Sequence, residues 1–258
     1  MGTYILTGLG IVALIFFLLK RDKKSSIAAI VLKSMTSIFF IASGISSLVL
    51  NYMHTGIGST FKLISMALII IGLVCGMVGD ILLDFKIYFK ALNMRFLCFD
   101  KDRDVLMTSG MASFGVGHIL YIVSIAIRYP DNIWMLAVSV VIGFALMSGI
   151  MLFSRYVMKM DFRQFFIPSW VYGTLLATFI AYSAFTLSID GSVANIILLI
   201  GSILFIVSDL ILSITYFSKA EDYEKEGMMN PESKLMIVVN HATYYIAQFL
   251  IALSILYF

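Results

Sequence analysis

The stretch NIILLIGSILFIVSDLILSITYF, residues 195–217, decides the fold because it is long and apolar and contains a single carboxylate, Asp209. At about 1.5 Å per residue, a helix of this length crosses the ~30 Å hydrocarbon core of a bilayer. Seven further stretches have the same character and are predicted to be membrane spans: 4–19, 27–50, 64–83, 106–127, 133–153, 165–187 and 234–257. None alternates as the strands of a barrel do, so the sequence predicts an all-α membrane protein with eight transmembrane helices.

The composition is that of a membrane protein. Of the 258 residues, 61% are hydrophobic and 13% are charged, whereas soluble domains average about 45–50% apolar and ~25% charged residues. Because the connections between the spans are short, we expect one membrane-embedded domain over residues 1–258. The small net charge of +3 gives no reason to expect nucleic acid as a partner.

Neither a disulfide nor a metal site is expected. Cys75 falls within a span and Cys98 in a polar connection, whereas a disulfide framework places an even set of cysteines in exposed segments. The three histidines, His54, His118 and His241, are far apart in the sequence and show no metal-ligand spacing. We therefore expect no cofactor.

Basic residues are concentrated on one side of the predicted bundle. The connections after spans one, three, five and seven hold 15 of the 18 basic residues, those after the even-numbered spans hold Lys62 and Arg128, and Lys33 lies within span two. The positive-inside rule then predicts cytoplasmic odd-numbered connections and both termini outside. Because the basic residues follow the first apolar run, we expect a retained first helix rather than a signal peptide. We expect a multi-pass protein in a bacterial plasma membrane.

The two halves of the chain resemble each other. Residues 70–83, IIGLVCGMVGDILL, align with residues 199–212, LIGSILFIVSDLIL, at an offset of 129, which matches Asp80 with Asp209. Residues 117–121 in span four likewise resemble residues 240–244 in span eight. The pattern predicts two parallel four-helix repeats, about 1–130 and 131–258, with the two aspartates at equivalent depth in the cytoplasmic half. Chance similarity between apolar spans is the alternative.

Two aspartates within membrane spans are candidate catalytic residues. A charged side chain at the centre of a span costs about 2.5–3.5 kcal/mol on insertion scales, so Asp80 and Asp209 call for an explanation. Alternatives to catalysis are a helix-packing hydrogen bond or a salt bridge to Lys33. Lys33 itself could be a counter-ion, bind an anionic headgroup or extend to the interface. Asp84, one turn after Asp80, is either part of the site or a solvated residue at its rim.

A polar stripe on span eight is predicted to face the bundle interior. His241, Tyr244, Tyr245 and Gln248 fall at positions i, i+3, i+4 and i+7, on one helical face, and Asn240 adjoins them. A smaller stripe on span four contains His118 and Tyr121, and span six could add the hydroxyl of Tyr172. Hydrogen bonding between helices, or packing in the case of Tyr172, is the alternative to substrate binding.

Two carboxylates in one buried cavity can hold different protonation states, so that one acts as an acid and the other as a base. Such pairs hydrolyse acetal-like bonds through oxocarbenium-like states. The sequence has no recognisable nucleophile–histidine motif and no glycine-rich phosphate loop. The Gly-x-Gly-Asp pattern of intramembrane aspartyl proteases is incomplete, because Met77 stands at the first glycine position.

Four segments together resemble one known family. Residues 79–83 (GDILL), 114–121 (FGVGHILY), 205–212 (FIVSDLIL) and 244–248 (YYIAQ) are similar in order and spacing to the YhhN family of bacterial and animal lysoplasmalogenases. The similarity covers spans two to eight. The chain departs from the family pattern at Cys75 and Gly76, near a usual serine, and at Ser34, where a proline is common.

The resemblance implies an eight-helix membrane hydrolase that cleaves the vinyl ether bond of lysoplasmalogens, a class of lysophospholipid. The products would be a fatty aldehyde and a glycerophospho-ethanolamine or -choline. Asp80 and Asp209 would be the catalytic pair: one protonates the vinyl ether and the other activates water. The remaining polar residues would bind the substrate or orient water, with Lys33 at the phosphate: Lys33, Asp84, His118, Tyr121, Tyr172, Asn240, His241, Tyr244, Tyr245 and Gln248.

Two other classes of function fit the same residues. Paired carboxylates in a repeated bundle also serve as proton- or cation-coupling sites in transporters of small molecules or lipids. A lipid-binding or sensory protein without turnover is the third possibility. Hydrolysis and flux assays on purified protein would separate the three.

Overall fold

The structure is a computed structural model that describes residues 1–21, 26–56, 59–92, 99–224, 227 and 230–258, with the backbone alone at 86–92, 99–103 and 220. All regular elements in these ranges are helical, and the α-helices are α1 Gly2–Lys20, α2 Ile27–Thr55, α3 Thr60–Leu92, α4 Phe99–Arg128, α5 Trp134–Tyr156, α6 Phe166–Ile189, α7 Val193–Phe217, α8 Ala220–Glu224 and α9 Lys234–Ser254. Three 3-10 turns lie at Pro130–Asn132, Arg163–Phe165 and Ile255–Tyr257. Eight helices, all except α8, are long and apolar enough to cross a membrane. The predicted all-α fold with eight spans is confirmed.

Local sequence determines where several helices begin and end. The side chains of Ser26 and Ser233 accept hydrogen bonds from backbone N–H groups three residues later, and so cap the N-termini of α2 and α9. Pro168 lies in the first turn of α6, where its missing N–H leaves no hydrogen bond unmade. Gly56 follows α2 with a φ of 72°, a conformation that glycine adopts without strain.

Helical structure extends past the predicted spans three and four, to residue 92 and from residue 99, into the connection 84–105. α3 continues to Leu92 and α4 begins at Phe99. The apolar segment of a helix is the part that suits lipid. The backbone hydrogen bonds of the helix can continue into water, so the helix extends beyond its apolar segment. Cys98 and the connection cations Lys23, Lys24, Arg95 and Lys225 lie outside the described residues, as do the side chains of Lys86, Lys90, Lys101 and Arg103. The inside–outside assignment stays a prediction.

The helices pack as four sequential pairs: α1 with α2, α3 with α4, α5 with α6, and α7 with α9. α2 also packs against α3 and α9, and α6 against α7 and α4, so corresponding helices of the two sequence halves have corresponding partners. The division into repeats 1–130 and 131–258 stays a prediction, as does the single domain. The correspondence is incomplete: α1 and α3 both pack closely on α9, whereas α5 and α7 do not pack as closely on α4.

α7 shows how the sequence separates lipid-facing from buried positions. Ile196, Ile200 and Ile203 are exposed and recur at helical spacing on one face, whereas Gly201 and Ser208 are buried on the other. In a bilayer the exposed face would be covered by lipid, and small residues on the buried face let neighbouring helices approach closely. This arrangement turns Asp209 away from the lipid-facing stripe and toward the interior.

Candidate active site

Asp80 is held in the interior by a cation and two hydroxyl groups. It lies on α3 and is buried, and one of its oxygens is 3.3 Å from Nζ of Lys33 on α2. The other oxygen accepts hydrogen bonds from the hydroxyls of Ser37 and Tyr245, each at 3.2 Å. Ser37 follows Lys33 by one helical turn, so α2 presents both groups on one face. This carboxylate therefore has the partners that a negative charge requires in a low-dielectric interior.

The salt bridge of Asp80 belongs to a buried cluster of four charged side chains. Nζ of Lys33 is also 3.4 Å from Asp84, which in turn lies 3.5 Å from the guanidinium of Arg21 at the end of α1. Two cations thus balance two carboxylates. Asp84 is only 1% exposed, so the interpretation of Asp84 as a solvated rim residue is wrong. Lys33 is buried between the two carboxylates and does not extend to the interface.

Asp209 has different surroundings. It lies half-buried on α7 and accepts a short hydrogen bond from the hydroxyl of Tyr172 on α6. No Lys, Arg or His of the described residues lies within ion-pairing distance of it. Asp80 is near enough to act electrostatically on both Asp209 and Tyr172. The bundle therefore brings the two predicted acids into one region with unequal partners.

Part of the polar stripe of α9 faces the interior, where Tyr245 bonds to Asp80. The hydroxyl of Tyr121 on α4 donates to Oε1 of Gln248 at 3.1 Å, and Nε2 of Gln248 donates to the hydroxyl of Tyr244 at 3.0 Å. Tyr244 adjoins Asp80, and its ring centroid lies 5.3 Å from that of Phe205 on α7. Gln248 thus connects Tyr121 and Tyr244, the two tyrosines matched by the sequence repeat.

His118 is buried beside Tyr172. Its Nδ1 lies 2.8 Å from the carbonyl oxygen of Phe114, and its ring packs against Phe205 at a centroid distance of 4.4 Å. The ring of Tyr172 is 6.0 Å away. When Nδ1 carries the proton and donates to Phe114, Nε2 is an acceptor, and no described group bonds to it. The site therefore contains a free acceptor close to the residue that holds Asp209.

The first turns of α9 contribute contacts between helices. Nδ1 of His241 lies 2.8 Å from the carbonyl oxygen of Ile237, and its ring packs against Phe17 of α1 at 5.1 Å. Asn240 and Ser208 on α7 bond to each other through their side chains and backbone carbonyls, at 3.1 and 3.4 Å. These bonds hold α9 to α7. Asn240 is thus directed to Ser208, while His241 lies on the α1 side near the charged cluster.

An apolar cavity adjoins Asp209 and Tyr172. It is partly open to its surroundings, and its wall is formed mainly by α4, α5, α6 and α7. The lining side chains are mostly methionine, leucine, isoleucine and phenylalanine, and they include Met107, Met111, Phe114, Met147, Met151, Phe162 and Phe217, with Ser213 among the few polar ones. A site of this kind, apolar with a few polar groups, is typical of a ligand pocket.

Sequence reasoning missed three features of the site. Ser37 carried a usable signal, because it lies four residues after Lys33 and a helix places such residues on the same face. Arg21 carried none, since it is one of several basic residues that follow span one. The cavity could not be foreseen because its methionines resemble any other apolar residues of a membrane span.

Among the described residues, no group of His, Cys, Asp and Glu is arranged to hold a metal ion.

A close approach at Gly76 offers a test of the Gln248 connection. A Cβ atom at Gly76 would lie 2.5 Å from Nε2 of Gln248 and 3.3 Å from the hydroxyl of Tyr244, so Gly76→Ala must displace the end of the Gln248 side chain. We expect catalytic turnover to fall roughly 10- to 100-fold, since small displacements of positioning groups have effects of this size. Thermal stability should change little because the displaced group is flexible.

Gly115→Ala is the matched control for Gly76→Ala. A Cβ atom at Gly115 would find its nearest neighbour at 3.7 Å, an ordinary van der Waals contact. Hydrolysis of the lysolipid predicted from the sequence would be measured for both variants. Equal activity of the two variants would show that the bonds of Gln248 do not matter for function.

The comparison with known proteins identifies one family. A family model described as the YhhN family matches residues 28–255, which run from the start of α2 to the turn after α9. The match includes both aspartates and every predicted site residue. No curated protein and no solved structure matches the chain.

Proposed function

Because this chain belongs to the YhhN family, which suggests a membrane hydrolase, we propose that it cleaves the vinyl ether bond of lysoplasmalogen-type lysophospholipids. The products are a fatty aldehyde and a glycerophospho-headgroup. The observation that carries the proposal is the pair of interior carboxylates on α3 and α7, within electrostatic reach of each other but with unequal partners. Hydrolysis of a vinyl ether needs one acid and one base, and the unequal partners suit these two roles.

The partners of each carboxylate favour one assignment of roles. Asp80 has Lys33 beside it, and a cation at 3.3 Å favours the ionised form, so Asp80 suits the base. Asp209 borders an apolar cavity without a described cation, and burial without a counter-charge favours the neutral form, so Asp209 suits the acid. The bond from Tyr172 fixes the orientation of the Asp209 carboxyl group.

The reaction balances with these two acids and one water. Asp209 transfers its proton to the β-carbon of the vinyl ether, which leaves an oxocarbenium ion at the carbon that bears the ether oxygen. Water attacks that carbon and gives a proton to Asp80, forming a hemiacetal. The hemiacetal hydroxyl then returns a proton to Asp209 while Asp80 donates one to the departing glyceryl oxygen. Aldehyde and glycerophospho-headgroup are released, and both carboxyl groups regain their starting states.

The neighbouring polar groups have supporting roles in this proposal. Tyr245 and Ser37 donate to Asp80 and hold the base in place. Tyr244, oriented by Gln248, adjoins Asp80 and can bond the attacking water. The double pairing of Lys33 favours a role as counter-ion over the predicted contact with the lipid phosphate.

Purified protein incubated with a panel of lysolipids tests the proposal. We expect loss of the vinyl ether lipid and appearance of the fatty aldehyde by mass spectrometry, with no change in lipids that carry a saturated ether at the same position. In D₂O the aldehyde should carry one deuterium at the former β-carbon, because that carbon receives the proton from Asp209. Proteoliposomes that show substrate or cation flux without aldehyde formation would favour a transporter instead.

Tyr172→Phe tests the orientation of Asp209. Removing the hydroxyl deletes a hydrogen bond to the proposed acid, and bonds to ionisable groups contribute enough that turnover should fall about tenfold or more. Tyr182→Phe is the control, because Tyr182 lies on the same helix, is fully buried and has no described partner for its hydroxyl. Turnover of the vinyl ether lipid by Tyr172→Phe at the level of Tyr182→Phe would contradict a role for this bond.

A further inference from the structure

The sequence repeat predicts that the cavity beside Asp209 corresponds to a place that the other half of the bundle fills with charge. The sequence repeat matches Asp80 with Asp209 and Asp84 with Ser213. Around Asp80 and Asp84 the space is taken by Lys33 and Arg21. Ser213 instead lines the cavity together with Asp209, and no described ion pair crosses this space. The second half thus has an apolar space where the first has an ion cluster.

The packing of the outer helices accounts for the difference. In the first half, α1 packs against α9 through the ring contact of Phe17 with His241, and so covers that side of the bundle. α5 packs along α6 but makes no comparable contact with α4 or α7. The cavity lies between these helices, with Met147 and Met151 of α5 facing Met107 and the α7 wall.

The shape and chemistry of the cavity suit an aliphatic chain. Along α7 its wall runs from Ile206 to Phe217, a distance of about 16 Å at ~1.5 Å per residue. Methionine side chains are flexible and polarisable, so they adapt to a long, mobile apolar ligand. Asp209 is placed on the wall beside this ligand.

We propose that this cavity binds the single aliphatic chain of the lysophospholipid, and that Met147, Met151, Phe162 and Phe217 set the chain length that the protein accepts. The inference rests on the proposed function for the identity of the ligand, but chain binding can be measured without turnover. A chain in this cavity lies beside Asp209.

Photo-crosslinking of the unaltered protein tests the site directly. The probe is a lysophospholipid with a saturated ether-linked chain that carries a diazirine near its end, which the protein cannot hydrolyse by the proposed reaction. We expect adducts on the segments around Met151 and Phe217, and unlabelled single-chain lysolipid in excess should remove most of them. Adducts confined to lipid-facing residues such as Val141 and Ile196, or not displaced by lysolipid, would overturn the proposal.

Variants extend the test from location to specificity. Ser213→Phe places a ring in the cavity and should lower adduct yield roughly tenfold, while Ser188→Phe, at an exposed position on α6, should leave it unchanged. Met151→Ala enlarges the cavity and should shift the ratio of kcat/KM for long over short chains roughly tenfold. Met35→Ala, at an exposed position, is the control and should leave this ratio unchanged. A ratio unchanged by Met151→Ala in active protein would overturn the role in chain length. Adducts in the cavity without vinyl ether hydrolysis would support the chain site and contradict the proposed function.

Discussion

Replacing Asp209 with asparagine is expected to reduce vinyl ether hydrolysis by about 10²- to 10⁴-fold, the range that a positioned acid or base contributes. Asparagine keeps the volume and can still accept the hydrogen bond from Tyr172, but it cannot donate a proton to carbon. The helix packing should therefore survive and only the chemistry should be lost. The measurement is the initial rate of aldehyde release from a vinyl ether lysolipid by purified Asp209→Asn.

Asp80→Asn should lose activity to a similar extent for a different reason. In the proposed reaction its carboxylate receives the proton of the attacking water, and asparagine has little basicity. This variant also removes the charge partner of Lys33 at 3.3 Å, so we expect lower thermal stability for Asp80→Asn but not for Asp209→Asn. Asp161→Asn, an exposed position paired with Arg163, is the control. Full activity in both Asp80→Asn and Asp209→Asn would remove the basis of the proposed reaction.

Solvent isotope effects test whether protonation of carbon is part of the reaction and limits its rate. When proton transfer from Asp209 to carbon limits the rate, turnover in D₂O should be slower than in H₂O. The weak residual activity of Asp209→Asn should still place deuterium at the former β-carbon, because any donor must protonate that atom. A residual product without deuterium would indicate that the bond is broken by another route.

The helices and the two acids were predictable because strong local constraints act on them. A bilayer demands about 20 apolar residues per span, so α7 and its seven counterparts stand out in the sequence. A charge inside such a span is costly, and this cost drew attention to Asp80 and Asp209. The ends of α3 and α4 were not predictable from hydropathy, because helices continue into water beyond the apolar window.

The partners of the acids were harder to predict, since they depend on how the helices pack. Lys33 offered three interpretations, and only the placement of α2 beside α3 selects the ion pair with Asp80 and Asp84. Arg21 joins the cluster through the packing of α1, which its sequence does not reveal. The two acids have different partners because of how the helices pack in the tertiary structure. The sequence repeat made Asp80 and Asp209 look alike, and the neighbours make them different.

The second large effect is expected on stability when Lys33 is replaced by methionine. Methionine fills similar volume without the charge, so Lys33→Met leaves Arg21 alone to balance Asp80 and Asp84 in a buried site. Removing one partner of a buried ion pair destabilises a protein by about 3–5 kcal/mol, because the remaining charge stays desolvated. Thermal unfolding in detergent should therefore begin at a clearly lower temperature than in the unaltered protein. Lys20→Met, at an exposed position on α1, should change stability by no more than ~0.5 kcal/mol.

A double variant separates charge imbalance from lost packing. Lys33→Met combined with Asp80→Asn removes one cation and one carboxylate together and leaves the Arg21–Asp84 pair at 3.5 Å. The asparagine side chain that replaces Asp80 can still accept the hydroxyl bonds of Ser37 and Tyr245. The double variant should therefore be more stable than Lys33→Met alone, so the two substitutions should not be additive. If the losses simply add, Lys33 acts through packing, and its charge is not what keeps Asp80 ionised as the base.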